Sequence, residues 1–249
     1  MILIVDADWI LYNASYVKDT EELKTLEQCH ETIDFYIDNL FQETNTEKYI
    51  LCFTSGGNFR KVIYSEYKAN RIGKELPMFI NEMRDYIYSK YNCAYGGGWE
   101  ADDLCASYIK LYPEAILSHV DHDLDQIPGN HYNSKKKEFY EISTEDGLKQ
   151  LYLSVITGDS GDNIKGIPGK GIKAAEKLLN SCLELGINFL SQILEEYINH
   201  FGEAKGIHEF YKNYTCLKLV DNIQDIMLDK GESMVLPRKI DNNEIWKII

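Results

Sequence analysis

Nine acidic residues stand in four short clusters within the first two thirds of the chain. Three of the clusters lie beside short apolar runs, which is where the ends of buried strands are expected. Carboxylates held side by side repel one another strongly unless cations neutralise them. Oxygen ligands without clustered histidine or cysteine favour Mg²⁺ or Mn²⁺. The predicted metal basin therefore comprises Asp6 and Asp8; Glu100, Asp102 and Asp103; Asp121 and Asp123; and Asp159 and Asp162.

Two divalent ions in such a basin are suited to hydrolysing phosphodiesters, because one activates water and the other stabilises the leaving oxygen. Taken alone, any single cluster is more typical of a helix cap or a solvated turn than of a metal site. The recurrence of four clusters favours a site, with Asp8 and Asp125 as the weakest members, each readily interpreted as a surface charge. His119 and His122 are either acid–base groups or, as we favour, local turn residues.

A compact cationic segment follows the second predicted strand, and it contains Arg60, Tyr67, Lys68 and Arg71. Lys68 and Arg71 are three residues apart, so on a helix they would present two cations to one phosphate. Tyr67 is placed to stack on an unpaired terminal base, and Arg60 adds charge for DNA. The alternative is an exposed basic helix that offsets the acidic basin.

A glycine-rich stretch from Gly158 to Gly171 forms a second candidate for DNA contact, since exposed backbone N–H groups at a helix start bind phosphate. Its spacing does not match a P-loop. The alternative is a simple connection between helices, which the neighbouring lysines disfavour. The predicted DNA-binding residues here are Lys165, Gly166, Gly169, Lys170, Gly171 and Lys173.

Alternating apolar runs and amphipathic stretches predict an α/β fold with a largely parallel central sheet and functional groups at the carboxyl ends of its strands. After about Gly147 the pattern becomes mainly helical, so residues 1–146 are predicted as the core and 147–249 as a helical region. Strands are expected at 1–5, 49–53, 93–95 and 115–118. Helices are expected at 9–17, 21–42, 79–91, 102–111 and 172–179, with a hairpin turn at 135–137.

Composition restricts the class of protein. The net charge of −14 argues against a chain that grips nucleic acid with its whole surface, although it permits a local basic stripe. Six scattered cysteines without a CxxC pair favour free thiols and a cytoplasmic location, in the host cytoplasm if the chain is phage-encoded. Neither a signal peptide nor a membrane span is expected. Oligomeric state is left open.

The acidic clusters, the cationic segment and the glycine-rich stretch together resemble the flap endonuclease and 5′→3′ exonuclease family, most closely its bacteriophage branch. The resemblance covers roughly residues 1–180, in the family's order. It implies a PIN-like nuclease core and a helix-three-turn-helix that holds duplex DNA. It also implies two Mg²⁺ or Mn²⁺ ions, and often a K⁺ at the segment Gly166–Gly171, here called the glycine hairpin. Asp6, Glu100, Asp102, Asp103, Asp121, Asp123, Asp159 and Asp162 would be metal ligands, with Lys68 and Arg71 contacting the scissile phosphate.

The chain departs from the family pattern at two places. Thr54 and Ser55 follow the second strand where the family usually has an aspartate, so either would hold an ion through water or not at all. Only 28 residues separate Arg71 from Glu100, which leaves little room for a tall arch that threads a 5′ flap. An exonuclease acting on 5′ ends of duplex DNA, with removal of RNA primers from RNA–DNA hybrids as an extension, is therefore favoured. A flap endonuclease, a catalytically weakened DNA-structure-binding protein and, less favoured, a PIN-type RNase are the alternatives.

Overall fold

A computed structural model describes residues 1–15 and 24–221 of the 249-residue chain. In chain order its strands are β1 (Ile2–Asp6), β2 (Lys48–Cys52), β3 (Cys93–Ala94), β4 (Ile116–His119), β5 (Gly129–Asn133), β6 (Glu138–Ile142), β7 (Gly158–Asp159) and β8 (Ile164–Lys165). Its helices are α1 (Asp8–Ala14), α2 (Leu26–Thr44), α3 (Arg60–Ile63), α4 (Ile80–Lys90), α5 (Ala101–Leu111), α6 (Thr144–Thr157), α7 (Ile172–Leu185), α8 (Phe189–Phe201) and α9 (Glu203–Leu217). Two 3₁₀ turns span Ala69–Arg71 and His122–Gln126.

The described residues fall into two compact units whose segments interleave along the chain. The first unit comprises residues 1–15, 24–59, 77–112 and 220–221, and the second comprises residues 60–76 and 113–219. The predicted boundary at Gly147 depends on the change from alternating strands and helices to a mainly helical pattern. It stays a prediction.

In the first unit, β1, β2 and β3 form parallel neighbours in the order β3-β2-β1. Ile4 lies opposite Ile50, and Leu51 opposite Cys93. Strands covered on both faces read as continuous apolar runs, and β1 is buried from Leu3 onward as that rule requires.

The helices of the first unit follow their apolar spacing. Ile33 and Ile37 of α2 and Met83 and Ile87 of α4 are buried, one turn apart in each helix. Helix α2 begins at Leu26 behind a capping box of Thr25 and Gln28, five residues later than predicted. The predicted helix at 9–17 is α1, which ends at Ala14; the predicted positions 16–17 and 21–23 lie outside the described residues.

In the second unit, β4 pairs parallel with β5, and β5 pairs antiparallel with β6 across the predicted hairpin turn at Lys135–Lys137. Helices α6 to α9 bury one apolar cluster that includes Val155, Leu179, Ile193 and Phe210. The α/β class with a mainly parallel sheet is thus confirmed. Within the described residues no helix combines the length and apolar character that a membrane crossing requires.

Candidate active site

Three carboxylates of the second unit come together. Asp123 lies in the 3₁₀ turn after β4, Asp159 in β7, and Asp162 in the turn between β7 and β8. One ligand oxygen from each lies within 4.8 Å of the others. Ligands on opposite sides of a Mg²⁺ ion are about 4 Å apart, so this spread fits one hard divalent ion. Distant segments of the chain therefore form a candidate metal site.

The charge on Asp123 is costly in this setting. Burial raises the pKa of its carboxyl to about 7, and repulsion from Asp121, Asp159 and Asp162 adds to that shift, while Lys68 opposes it. A carboxyl in this position gains from a nearby cation. Asp121 is exposed and its Oδ1 accepts the backbone N–H of Asp123 at 2.9 Å, so it also caps the 3₁₀ turn.

Two cations converge on Asp162. Arg71 donates from Nη2 to Oδ1 of Asp162 at 2.9 Å, and Nζ of Lys68 lies 3.6 Å from the same oxygen. The expectation of one shared helix face was wrong, because Lys68 has a left-handed φ of 54° and Arg71 ends a 3₁₀ turn. They meet because the backbone of Lys68 donates to the carbonyl of Asp162, and Asn70 donates to that of Ser160.

The prediction that Tyr67 stacks on a base was wrong. Its side chain is only 1% exposed, and its hydroxyl donates to Oδ2 of Asp162 at 2.7 Å. The prediction that Arg60 contacts DNA was also wrong, since Arg60 is 1% exposed and donates to the carbonyls of Cys216 and Lys218 at 2.8 and 3.3 Å. Each side chain has a long apolar part and a polar group at its tip. Both can therefore be buried where the polar group finds a hydrogen-bond partner inside the fold.

The glycine hairpin divides into structural and exposed positions. A Cβ on Gly166 would lie 2.2 Å from the carbonyl carbon of Thr157, so Gly166 serves the close approach of β8 to α6 instead of an approach by DNA. A Cβ added to Gly169 or Gly171 would meet no atom within 4 Å, and both glycines are exposed. Lys165 and Lys173 are exposed, whereas Lys170 is paired with Glu196 at 2.7 Å.

The acidic residues of the first unit are held at the ends of β1 and α5. Asp6 and Glu100 are buried, and Asp102 is half-buried in the first turn of α5. Asp8 is not the surface charge that the sequence suggested: burial raises the pKa of its carboxyl, partly offset by a hydrogen bond from Thr54.

Asp103 has a structural role that the sequence did not reveal. It is fully buried; its Oδ1 accepts the backbone N–H of Val220 at 2.9 Å, and its Oδ2 accepts that of Glu100 at 3.4 Å. Oδ2 thus caps α5 and Oδ1 holds a distant segment, and the role of Asp103 as a metal ligand stays a prediction. Thr54 and Ser55 likewise accept backbone N–H groups, from Ala101 and Gly96.

Sequence reasoning missed a second cluster in the second unit. His119, Asp125 and His131 place ligand atoms within 4.8 Å of one another. His119 is a buried residue of β4 and not a turn residue, whereas His122 lies in a turn as expected. The alternation of the two strands was the available signal. His131 of β5 pairs with Leu117, two residues before His119, so both histidines lie on one face of the sheet.

Known proteins are similar to this chain in sequence or in fold. The family model of the 5′-3′ exonuclease N-terminal, resolvase-like domain matches residues 1–152. DNA polymerase I of Rhizobium leguminosarum is 35% identical over 154 residues, which are 55% of this chain and 15% of the polymerase. The 5′-3′ exonuclease of Mycoplasmopsis pulmonis is 29% identical over 203 residues, which are 72% of this chain and 66% of that enzyme. The chain thus spans less than two thirds of either relative.

A solved structure has the same architecture. The flap endonuclease of bacteriophage T5, in a pseudo-enzyme–product complex with DNA and metal ions, superposes with a TM-score of 0.70 at 19% identity. The match covers 89% of this chain and 90% of that one, and it establishes a common fold. Since the family model accounts for more than half of the residues, the chain belongs to the family of the 5′-3′ exonuclease N-terminal, resolvase-like domain.

Proposed function

We propose that this protein is a divalent-metal-dependent 5′→3′ exonuclease that hydrolyses phosphodiester bonds from 5′ ends of duplex DNA. The single observation that carries the proposal is the convergence of Asp123, Asp159 and Asp162 beside two cationic side chains. Family membership supports the reaction class. Removal of RNA primers, a phage origin and a cytoplasmic location belong to the proposal as extensions, and the six free cysteines agree with the last of these.

The donor set fits a hard ion. Asp123, Asp159 and Asp162 offer only oxygen ligands, and burial together with the neighbouring carboxylates raises the pKa of Asp123. A bound Mg²⁺ or Mn²⁺ ion supplies a lowered pKa for coordinated water and neutralises charge on the phosphate. We assign Asp121 to the same ion, since it lies two residues before Asp123 and adds to its electrostatic field.

Asp6, Glu100 and Asp102 are proposed as ligands of the second ion. All three lie at the carboxyl end of β1 or the start of α5 within one unit. Burial of two of them keeps their carboxylates in a setting where a cation offsets the cost of charge. Asp103 supports them by capping the helix that carries Asp102.

Lys68 and Arg71 are proposed to bind the scissile phosphate. Arg71 is more than half exposed, so it can exchange its contact with Asp162 for a phosphate oxygen. Lys68 is less exposed and is held by its backbone against Asp162, so its charge is positioned before substrate arrives. The pair stabilises negative charge on the phosphate as the bond to the leaving oxygen breaks.

Duplex DNA is proposed to lie against the exposed part of the glycine hairpin. Gly169 and Gly171 leave open space beside the backbone, and Lys165 and Lys173 add charge around the start of α7. We propose K⁺ as a further ligand of this hairpin. The region from residue 147 onward is proposed as the helix-three-turn-helix that carries these contacts.

A flap endonuclease is the second candidate. The matched T5 protein is described as one, which favours it. Against it, residues 72–79 of this chain form no helix between the cationic turn and α4, so that segment provides no tall arch. Cleavage of a 5′-flap substrate compared with a blunt duplex separates the two activities. Binding of DNA in Ca²⁺ without cleavage in Mg²⁺ or Mn²⁺ would instead identify a weakened, structure-binding protein.

The deciding experiment incubates 5′-labelled and 3′-labelled duplexes with Mg²⁺. Wild type is expected to release label from the 5′ end first, and Asp121→Ala and Asp123→Asn to lose nearly all cleavage. Glu141→Gln, which neutralises an exposed acid on β6, serves as the control and is expected to cut normally. Full cleavage by Asp123→Asn, or release from the 3′ end alone, would overturn the assignment.

A further inference from the structure

The histidine cluster consists of His119, His131, Asp125 and Tyr140, and it contains more hydrogen-bond acceptor atoms than hydrogens to share among them. Nδ1 of His119 lies 2.6 Å from the carbonyl of Asp121, and Nε2 of His131 lies 2.7 Å from the carbonyl of Ile127. A carbonyl only accepts, so each of these ring nitrogens must carry its hydrogen there. In the neutral rings, Nε2 of His119 and Nδ1 of His131 are therefore bare lone pairs, and these two atoms face each other at 2.8 Å.

Tyr140 does not correct the shortage. Its hydroxyl lies 2.8 Å from Oδ1 of Asp125 and 3.0 Å from Nε2 of His119, but it has one hydrogen to give. If that hydrogen goes to the carboxylate, the oxygen of Tyr140 becomes a third lone-pair donor beside the two imidazoles. The contacts among these four side chains thus call for a positive centre between them.

A proton shared by the two rings is the alternative to a metal ion at that centre. Either can occupy the space between Nε2 of His119 and Nδ1 of His131, which lie 2.8 Å apart. The further oxygen ligands that Asp125 and Tyr140 bring to the same place favour a metal ion.

We propose that His119, His131 and Asp125 form a binding site for a borderline divalent metal ion, Zn²⁺ above all, separate from the carboxylate trio. Two imidazoles and a carboxylate are a favoured ligand set for this class of ion. Metal-bound histidines usually donate their outer N–H to a backbone carbonyl, and both rings already do so. Tyr140 or water completes four-coordination.

The geometry requires a small adjustment. Zn–N bonds of about 2.0–2.1 Å in a tetrahedron separate two nitrogens by about 3.3 Å, so the rings must part by about 0.5 Å. Asp125 has a partly exposed side chain, with 20% of its surface accessible, and Nε2 of His119 lies 3.8 Å from its Oδ1. An ion can therefore enter from the Asp125 side.

The expected consequence is a fixed catalytic turn. Asp125 shares the His122–Gln126 turn with Asp123, and the carbonyl of Asp121 is held by His119. An ion at the cluster would tie β4, β5 and this turn together. It acts on the position of Asp121 and Asp123 and takes no part in hydrolysis, so its binding does not depend on the proposed nuclease activity.

The test titrates the 249-residue chain with Zn²⁺ by calorimetry in a large excess of Mg²⁺, which occupies the two proposed all-oxygen sites. Wild type is expected to bind one Zn²⁺. His131→Asn and Asp125→Asn should each weaken binding by about 100-fold or more, while His122→Asn, an exposed histidine that touches the same carboxylate, should bind as wild type. Equal Zn²⁺ affinity in wild type and His131→Asn overturns the site.

A second measurement needs no variant and holds if the substitutions prevent folding. Co²⁺ in a four-coordinate site with two imidazoles absorbs visible light strongly, whereas six-coordinate Co²⁺ among carboxylates absorbs weakly. Wild type with excess Mg²⁺ is expected to develop the strong band at one equivalent of Co²⁺ and to lose it when Zn²⁺ is added. Absence of the band means that no four-coordinate ion occupies the cluster, and the proposal fails. If wild type develops the band but cleaves no DNA in Mg²⁺, the proposed nuclease function is refuted and the histidine site is not.

Discussion

The hydroxyl of Tyr67 donates a 2.7 Å hydrogen bond to Oδ2 of Asp162, and both side chains are buried. An aromatic residue of the cationic segment thus fixes the orientation of a carboxylate whose other oxygen receives Arg71. The contact joins two stretches of chain that are 95 positions apart. It places a candidate metal ligand before any ion binds, which lowers the cost of ordering that ligand.

Tyr67→Phe tests this positioning. The ring should still pack, so we expect little change in folding, while Mg²⁺ affinity should fall by about fivefold, the equivalent of one hydrogen bond of about 1 kcal/mol. The effect is measured by recording the melting temperature of each protein at increasing Mg²⁺ concentrations. Tyr64→Phe, which removes a hydroxyl that donates to the carbonyl of Asn163, is the matched control. Equal Mg²⁺ affinity in both variants would show that Asp162 needs no such support.

Asp123 should make the metal-free protein sensitive to pH. Its pKa of about 7 in the folded state lies above the value of about 3.9 in an unfolded chain. The folded state therefore binds this proton more tightly, so the stability contributed by Asp123 falls as pH rises from about 4 to 7.

Asp123→Asn removes that loss. Without metal at pH 8 we expect the variant to melt about 2–4 °C above wild type, which corresponds to about 1 kcal/mol after solvent screening. The advantage should shrink towards pH 5. Added Mg²⁺ should raise the melting temperature of wild type more than that of the variant, which keeps only the proposed site at Asp6, Glu100 and Asp102. A variant that is less stable than wild type at pH 8 without metal would contradict the predicted repulsion.

Lys68→Ala should impair chemistry more than binding. Removing a positioned cation from the phosphate is expected to slow single-turnover cleavage about 30- to 1000-fold, or about 2–4 kcal/mol in the barrier. Lys68→Arg should restore part of the rate. Lys61→Ala removes an exposed lysine from α3 and should cut at the wild-type rate. Unchanged cleavage by Lys68→Ala would remove this residue from the site.

Arg60 should matter for folding and not for DNA. Arg60→Ala leaves the carbonyls of Cys216 and Lys218 without these donors and opens a void at the start of α3. We expect a loss of about 2–4 kcal/mol in the free energy of unfolding, measured with urea. DNA affinity of the folded fraction should not change. Weaker DNA binding at unchanged stability would reinstate Arg60 as a contact residue.

Two glycines of the hairpin should behave differently. Gly166→Ala places a Cβ against backbone atoms and should cost more than about 2 kcal/mol of stability. Gly171→Ala meets no atom within 4 Å, so it should cost less than about 1 kcal/mol as a cap substitution. If DNA approaches this backbone, Gly171→Ala should nonetheless weaken duplex binding. Urea unfolding and a binding titration in Ca²⁺ separate the two effects.

Much of the fold could be predicted from local patterns. The apolar run at β1, the three- and four-residue spacing in α2 and the lysines of the β5–β6 turn each determine a structure within a few neighbouring residues. Several acidic residues could also be singled out from the sequence, because Asp6 ends β1 and Asp121 and Asp123 follow β4.

The sequence alone thus determined the α/β class, the family and the acids and cations that surround a candidate metal site. Only the tertiary structure decided which polar side chains face inward. Tyr67 and Arg60 are buried, and Asp103 caps a helix. Two buried histidines on neighbouring strands lie within hydrogen-bonding distance of each other. Local spacing carries no information on these choices. They depend on which distant carbonyls and carboxylates must be satisfied once the chain has closed around them.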